Sequence, residues 1–320
     1  MIKKICLILE PLNFSNFIIK DLEKKFIVKL GIFNLKKIEY DDVEVIFSRL
    51  NFILNKDFLK NYSSLKTIIS PATGISHVDF NYINKKKINF ICLKGHTKFL
   101  NSITPTSEVT IWHILSLSRK ILASSNINKN NDESKWHREN FIGEDLYKEK
   151  IGIIGLGRLG KMVGNILLSF SSEVYFYDIN HALKEKNFKR LDFDELLSTC
   201  KIISIHVPHN KNTHNLIKTK QLMLMKDDGI LINTSRGGIV NENDIYNYLC
   251  TNQKFRVGLD VFEYEHNPNP ETLINFKNLK KFSATNPLQL SLTPHLGGAS
   301  IKAMQRTEEY CYKIFKNIKS

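Results

Sequence analysis

The chain has 320 residues, enough for two domains that each bury a core. Its 42% hydrophobic and 24% charged content is that of an ordinary globular protein, and no apolar run approaches the ~18–20 residues of a membrane span. The formal charge of +14 comes from lysines spread along the whole chain among Asn and Ile, which excludes a concentrated nucleic-acid surface but would favour a small anionic ligand. Five scattered cysteines, Cys6, Cys92, Cys200, Cys250 and Cys311, include no CxxC pair. They predict neither a disulfide framework nor a metal site, and a reducing cytoplasm is the expected compartment.

The opening "MIKKICLILEPLNF" has two lysines and a short apolar run, as a signal peptide does. Glu10 and Pro11 break that run and no small-residue cleavage site follows, so it reads as a first buried strand ending at a turn. Strand-like runs continue through "FIVKLG", "VEVIFSRL", "LKTIISPATG" and "INFICLKG", with helical spacing in "NFIIKDLEKKF" and "NKDFLKNY". This alternation predicts a parallel sheet covered by helices. The lysine run in "NKKKINF" at 84–90 reads as a solvated turn or helix end. Residues 104–125 read as one long amphipathic helix, with Thr106 and Ser107 as candidate N-caps behind Pro105, and 125–141 as a polar connector. From Lys150 a second alternation begins, with strands in "KIGIIGLG", "EVYFYD", "KIISIHVP", "GILINTS", "FRVGLDVF" and "LSLTPH". A helix over "ASIKAMQRTEEYCYKIFKNI" closes the chain.

The second alternation starts on a glycine pattern. Gly155, Gly157 and Gly160 form GxGxxG directly after an apolar strand and at the start of a helix. The first glycine makes a tight turn, the second lets the backbone approach a pyrophosphate, and the third allows close helix–strand packing. The helix start supplies N–H groups and partial positive charge for the anion. Asp178, 18 residues past Gly160, ends the next strand. A carboxylate there accepts the ribose hydroxyls and repels a 2′-phosphate, so NAD is expected over NADP.

Three more strand ends carry charge: Arg236 in "NTSRGG", Asp260 and Glu265 in "GLDVFEYE", and His295 in "TPHLGG". In an open parallel sheet, ligands bind beyond the carboxyl ends of the strands. Nicotinamide-dependent oxidation of a 2-hydroxy acid needs a fork for the carboxylate, a base for the hydroxyl proton and a group to orient that base. Arg236, His295 and Glu265 supply these in turn.

The segments "SPATGISHVDF", "SEVTIWHILSLSRKI", "KEKIGIIGLGRLGKMVG", "HVPHNKNTHNLI", "LINTSRGGIVNENDI", "GLDVFEYE" and "TPHLGGAS" resemble, in order and spacing, the D-isomer-specific 2-hydroxyacid dehydrogenase family over nearly the whole chain. The resemblance implies a Rossmann-type, doubly wound parallel-sheet NAD domain inserted into a smaller flavodoxin-like α/β substrate domain. By that reading residues 1–103 plus 300–320 form the discontinuous substrate domain. Residues 104–299 form the NAD domain, including a first bridging helix on which a homodimer is largely built. It puts the catalytic roles on Arg236, Glu265 and His295. Cofactor contacts fall on Gly155, Gly157, Arg158, Leu159, Gly160, Asp178, Val207, Pro208, Thr234, Ser235, Asp260 and His295. Gly297 and Gly298 let the backbone pass near the nicotinamide end. The turn Thr73-Gly74-Ile75 would hold the substrate carboxylate through backbone amides, beside Arg236.

The stretch "ICLKGHTKFLNSITPTSE" is similar to a phosphoglycerate-dehydrogenase-like branch, in which Arg49 would be a phosphate or carboxylate contact. 3-Phosphoglycerate with 3-phosphohydroxypyruvate is then one expected substrate pair, and a glyoxylate, hydroxypyruvate or D-lactate reductase is the alternative. Serine feedback through an added regulatory domain is not expected. An NAD(H)-sensing corepressor-like protein is the reading from another class. Two departures stand out: His266 follows Glu265 where relatives carry proline, and 266–292 reads as an extra surface loop.

Overall fold

The structure, a computed structural model, describes residues 4–34, 36–75, 77–125, 136–265 and 268–319. His266 and positions 126–135 of the polar connector lie outside the described residues. The chain divides into two compact units, Met1–Ile103 with Ala299–Ser320, and Thr104–Gly298.

The first unit contains β1 (Ile5–Ile8), α1 (Asn16–Leu22), β2 (Ile27–Leu30), β3 (Val43–Phe47), α2 (Lys56–Leu59), β4 (Thr67–Ser70), α3 (Phe80–Lys85), β5 (Asn89–Cys92) and α4 (Thr97–Leu100). The last helix of the chain, α12 (Ile301–Lys319), completes it. Its sheet is parallel in the order β2-β1-β3-β4-β5. Side chains alternate across a strand, and in β1 both sets are apolar because both faces are covered. Cys6 and Ile8 pack with Ile18, Leu22, Tyr312 and Phe315 of α1 and α12. Ile5 and Leu7 pack with Leu59 of α2 and Ile83 of α3 on the other face. Each fully buried side chain of this kind contributes about 1.5–3 kcal/mol of transfer free energy.

The second unit contains α5 (Pro105–Ser118), α6 (Ile121–Ser125), β6 (Lys150–Ile154), α7 (Arg158–Ser169), β7 (Glu173–Tyr177), β8 (Lys189–Arg190) and α8 (Phe193–Thr199). It continues with β9 (Ile202–Ile205), α9 (Thr219–Leu222), β10 (Ile230–Asn233), α10 (Glu242–Thr251), β11 (Arg256–Leu259), α11 (Pro270–Thr285) and β12 (Leu290–Leu292). The parallel order β12-β11-β10-β9-β6-β7-β8 is that of a doubly wound Rossmann-type sheet. The chain runs outward from β6 to β8 and returns to β9 on the other side of β6, which creates the switch point where dinucleotides bind. Ile151 and Ile153 of β6 face Ile114 and Leu117 of α5 and Val163 and Leu167 of α7. Ile154 faces the opposite layer with Leu196, Leu249 and Leu279.

Three expectations change. The helix predicted over 104–125 is two helices, because Lys120 takes a left-handed φ of 55° between α5 and α6. Its N-cap is Thr104 with Pro105 at N1, the position that proline's fixed φ suits. Ser107 lies inside the first turn and donates to the Thr104 carbonyl (2.6 Å), while the Thr106 hydroxyl donates to Gly297 O (2.8 Å). Finally, 266–292 is not an extra surface loop: it carries the sixteen-residue α11 and leads into β12. Asn269 caps α11 by accepting from Thr272 N (3.0 Å), Pro270 occupies N1, and Phe276 packs on Phe262 and Tyr264 with ring centroids 4.9 and 4.4 Å apart.

Candidate active site

β6 feeds the glycine turn at the switch point. Gly155 has φ +91°, and a Cβ there would meet Val207 Cγ1 at 2.6 Å and the His206 carbonyl oxygen at 2.8 Å. A Cβ on Gly160 would run into the Gly155 carbonyl, so α7 lies against the turn only because that position is glycine. Gly157, the N-cap of α7, is exposed, and a Cβ there would find nothing within 4 Å. Arg158 and Leu159 follow it half-buried in the first helical turn, and burial pulls the Arg158 pKa below its ordinary value. Open space before a helix start lined by backbone amides fits a dinucleotide pyrophosphate.

Asp178, at the end of β7, is held on both sides: one carboxylate oxygen accepts from Leu156 N and the other from Asn180 N, each at 2.8 Å. Arg190 gathers the loop beyond it, donating to the carbonyls of Asp178 (2.9 Å) and Asn180 (2.6 Å) while stacked 4.8 Å from the Phe176 ring centroid. The carboxylate is therefore fixed before any ribose reaches it. Val207 is half-buried and Pro208 exposed, just beyond β9.

The ends of β10, β11 and β12 bring the charged groups together. At the end of β10, the buried Asn233 accepts from the Ser235 hydroxyl (2.7 Å) and donates to the Arg236 carbonyl (2.9 Å), setting the backbone of the arginine turn. Thr234 is buried and shares a hydrogen bond with the Thr110 hydroxyl at 2.8 Å. Arg236 Nη1 donates to Ser235 O (2.6 Å); burial lowers its pKa, and the charge of Glu265 opposes that shift. Glu265 accepts from Phe262 N through Oε1 (2.7 Å), and its Oε2 lies 2.5 Å from His295 Nδ1. His295 itself takes φ +53°, a left-handed conformation that side-chain-bearing residues rarely adopt.

Asp260 holds that conformation in place. Fully buried, it accepts from the Thr293 hydroxyl (2.5 Å) and Leu296 N (2.7 Å) on Oδ1 and from Gly297 N (2.8 Å) on Oδ2. Its carbonyl accepts from His295 N (2.8 Å). Burial raises its pKa, and these donors counter the rise. Gly297 is packed between Asp260 and Thr106, whereas a Cβ on Gly298 would meet nothing within 4 Å.

Behind Thr293 stands a residue that sequence reasoning missed, His113 of α5. Thr293 gives its one hydroxyl proton to Asp260, so it accepts from His113 Nε2–H at 2.9 Å. His113 Nδ1 then accepts from the Ser291 hydroxyl at 3.0 Å. Burial pushes the His113 pKa down to about 3, which keeps the ring neutral in this relay. Its only trace in the sequence is a histidine on a helix face that also carries the buried Ser107, Thr110 and Ser118.

In the first unit, Thr73, Gly74 and Ile75 follow β4 in a partly exposed loop. Their amides donate no hydrogen bond among the described residues, a property suited to holding an anion. Arg49 is engaged differently from an anion contact. Its Nε and Nη2 donate to the fully buried Glu308 Oε1 (2.9 and 2.5 Å), and Nη1 donates to Leu12 O (2.9 Å).

A family model for the NAD-binding domain of D-isomer-specific 2-hydroxyacid dehydrogenases matches residues 111–297. A hydroxypyruvate reductase of Thermotoga maritima is 27% identical over 278 residues, covering 87% of this chain and 85% of that protein. A glyoxylate reductase of Thermococcus litoralis is 29% identical over 279 residues, covering 85% and 79%. The crystal structure of a D-lactate dehydrogenase from Aquifex aeolicus, complexed with NAD and lactic acid, shares the fold with a TM-score of 0.79 at 24% identity, covering 98% of this chain and 95% of that one. No helix among the described residues is long and apolar enough to cross a membrane. With more than half of its length under the family model, the chain belongs to the D-isomer-specific 2-hydroxyacid dehydrogenases, NAD-dependent oxidoreductases of 2-hydroxy and 2-keto acids.

Proposed function

We propose that the chain interconverts a small, unphosphorylated D-2-hydroxy acid and its 2-keto acid, with hydroxypyruvate or glyoxylate as the keto acid reduced. The contact between Glu265 and His295 at 2.5 Å, with Arg236 close enough to feel the Glu265 charge, carries this reading. Bound NAD supplies the hydride acceptor, and NADH the donor. With Nδ1–H given to Glu265, neutral His295 carries its acceptor lone pair on Nε2, the atom that would take the hydroxyl proton of the 2-hydroxy acid. Glu265 stabilises the imidazolium so formed, and in the reverse direction that cation returns its proton to the carbonyl oxygen. Arg236 would take the substrate carboxylate with its guanidinium fork. Asp178 and the glycine turn would hold the adenosine ribose and the pyrophosphate, with Thr234, Ser235, Gly297 and Gly298 nearer the nicotinamide.

A phosphorylated substrate is disfavoured because the Arg49 guanidinium is committed to Glu308. A panel of hydroxypyruvate, glyoxylate, pyruvate and 3-phosphohydroxypyruvate with NADH tests the choice. The expected result is the highest kcat/KM on hydroxypyruvate or glyoxylate. Preference for the phosphorylated acid would overturn the substrate class, and tight NADH binding without turnover on any acid would favour an NAD(H)-sensing role. We also infer a cytoplasmic homodimer built on α5, where Trp112 is 40% exposed and no disulfide joins the five cysteines. Light scattering should give about twice the 37.0 kDa chain mass, and a monomer at micromolar concentration would refute the dimer.

A further inference from the structure

A second carboxyl group stands behind the acid–base pair. Glu242 is the first residue of α10 and only 3% exposed, among the least accessible acids in the second unit. Its Oε1 accepts from Glu263 N at 2.6 Å, while Oε2 is buried with no hydrogen-bond partner among the described residues. The neighbouring amide, Phe262 N, is held by Glu265 Oε1 at 2.7 Å. Two carboxyl groups thus grip successive amides, Phe262 N and Glu263 N, where the chain enters the turn Glu263–Glu265 that presents Glu265 to His295. The arginine turn presses on the same place, since a Cβ at Gly237 would collide with the Phe262 carbonyl carbon and Glu263 N.

We propose that Glu242 is a positioning residue for the acid–base pair, fixing the Glu265 turn through Glu263 N–H and setting a second titratable charge beside it. This rests on the reading of Glu265 and His295 as the acid–base pair. A buried carboxyl with one unmatched oxygen is an expensive way to hold one amide, since an uncharged acceptor would do so without the desolvation cost. The excess cost is consistent with an electrostatic role. Burial raises the Glu242 pKa to about 7; its bond to Glu263 N opposes that rise, and the nearby charges of Glu263 and Glu265 add to it more weakly. Tyr264 on the same turn feels both Glu265 and Glu242; Arg236 and His209 lie one group further out, acting on Glu265 and interacting with Glu263 respectively. Below neutrality Glu242 is therefore neutral. Above it, an added negative charge on the same turn favours the imidazolium that forms when His295 takes up a proton.

The sign follows for keto-acid reduction, which needs the protonated ring. In wild type, ionised Glu242 extends activity toward alkaline pH. Glu242→Gln keeps the acceptor for Glu263 N–H but cannot ionise, so the alkaline limb of kcat/KM should move down by ~0.5–1 pH unit with NADH affinity unchanged. Glu242→Ala also loses the grip on the turn and should lower kcat ~10-fold or more at pH 7, with KM for NADH within about twofold. A Glu242→Gln profile that superimposes on wild type would overturn the proposal, because a purely structural hydrogen bond survives that substitution. Glu265→Gln and His295→Gln, measured alongside, separate the two levels. Near-normal activity in both would remove the acid–base reading itself, whereas their inactivity with an unshifted Glu242→Gln profile would remove Glu242 alone.

Discussion

His295→Gln is expected to lower turnover by ~10²–10⁴-fold while NADH binds as it does to wild type, the range lost when a positioned general acid–base group is removed. Glutamine is close in size and still hydrogen-bonds, but it cannot take up or release a proton near neutrality. The loop around it does not depend on the imidazole. Asp260 fixes that loop through the amides of His295, Leu296 and Gly297 and the hydroxyl of Thr293, at 2.5–2.8 Å. The left-handed backbone at His295, φ +53°, costs about 1–3 kcal/mol for a residue with a side chain; glutamine adopts it less readily than histidine, but the Asp260 bonds that impose it remain in the variant. The loss should therefore fall on kcat, not on folding or on the NADH dissociation constant measured by nucleotide fluorescence. Turnover within about threefold of wild type would take the proton-transfer role away from His295.

What could be read from the chain alone followed the range of the interactions involved. The glycine turn was legible because its cause is local: Gly155 needs a positive φ and Gly160 a missing Cβ, both within a few residues. The parallel sheets were legible because β-branched runs such as Ile151–Ile154 and Ile202–Ile205 have to be buried on both faces. Helix α11 was hidden because "NPNPETL" looks like a turn, although Asn269 followed by Pro270 is also a helix start, and Phe276, Leu279 and Phe282 recur on one face. The break at Lys120 carries no signal, since nothing distinguishes a lysine that adopts φ 55° from one that does not. The contacts of Arg49 were hidden for a different reason. Its partner Glu308 lies 259 positions away, and only the return of α12 to the first sheet brings the two together. His113 and Glu242 share that difficulty: their partners Ser291, Thr293 and Glu263 come from other strands and turns.

The second large effect is expected at Arg236. Burial depresses its pKa because a guanidinium removed from water loses solvation, and the charge of Glu265 returns only part of that. Its backbone is set independently, by Asn233 Nδ2 on the Arg236 carbonyl at 2.9 Å and by the packing of Gly237 against Phe262. Nη1 donates to Ser235 O at 2.6 Å, and among the described residues the other donors of the fork meet no acceptor. A bound carboxylate would accept two of them in parallel, each a charge-assisted bond worth about 1.5–3 kcal/mol. Arg236→Lys keeps the charge but gives up the second prong, and should lower kcat/KM for the keto acid ~10–100-fold. Arg236→Ala removes both, together with the cationic charge that interacts with Glu265, a loss of about 2–5 kcal/mol, or ~30–5000-fold. In both variants the NADH dissociation constant should stay within about twofold, because the glycine turn and Asp178 lie at other strand ends. Exogenous guanidinium should restore part of the Arg236→Ala activity and none of the His295→Gln activity. A lysine variant with wild-type kcat/KM would mean that Arg236 acts only as a point charge, and an alanine variant with wild-type kcat/KM would remove it from substrate binding altogether.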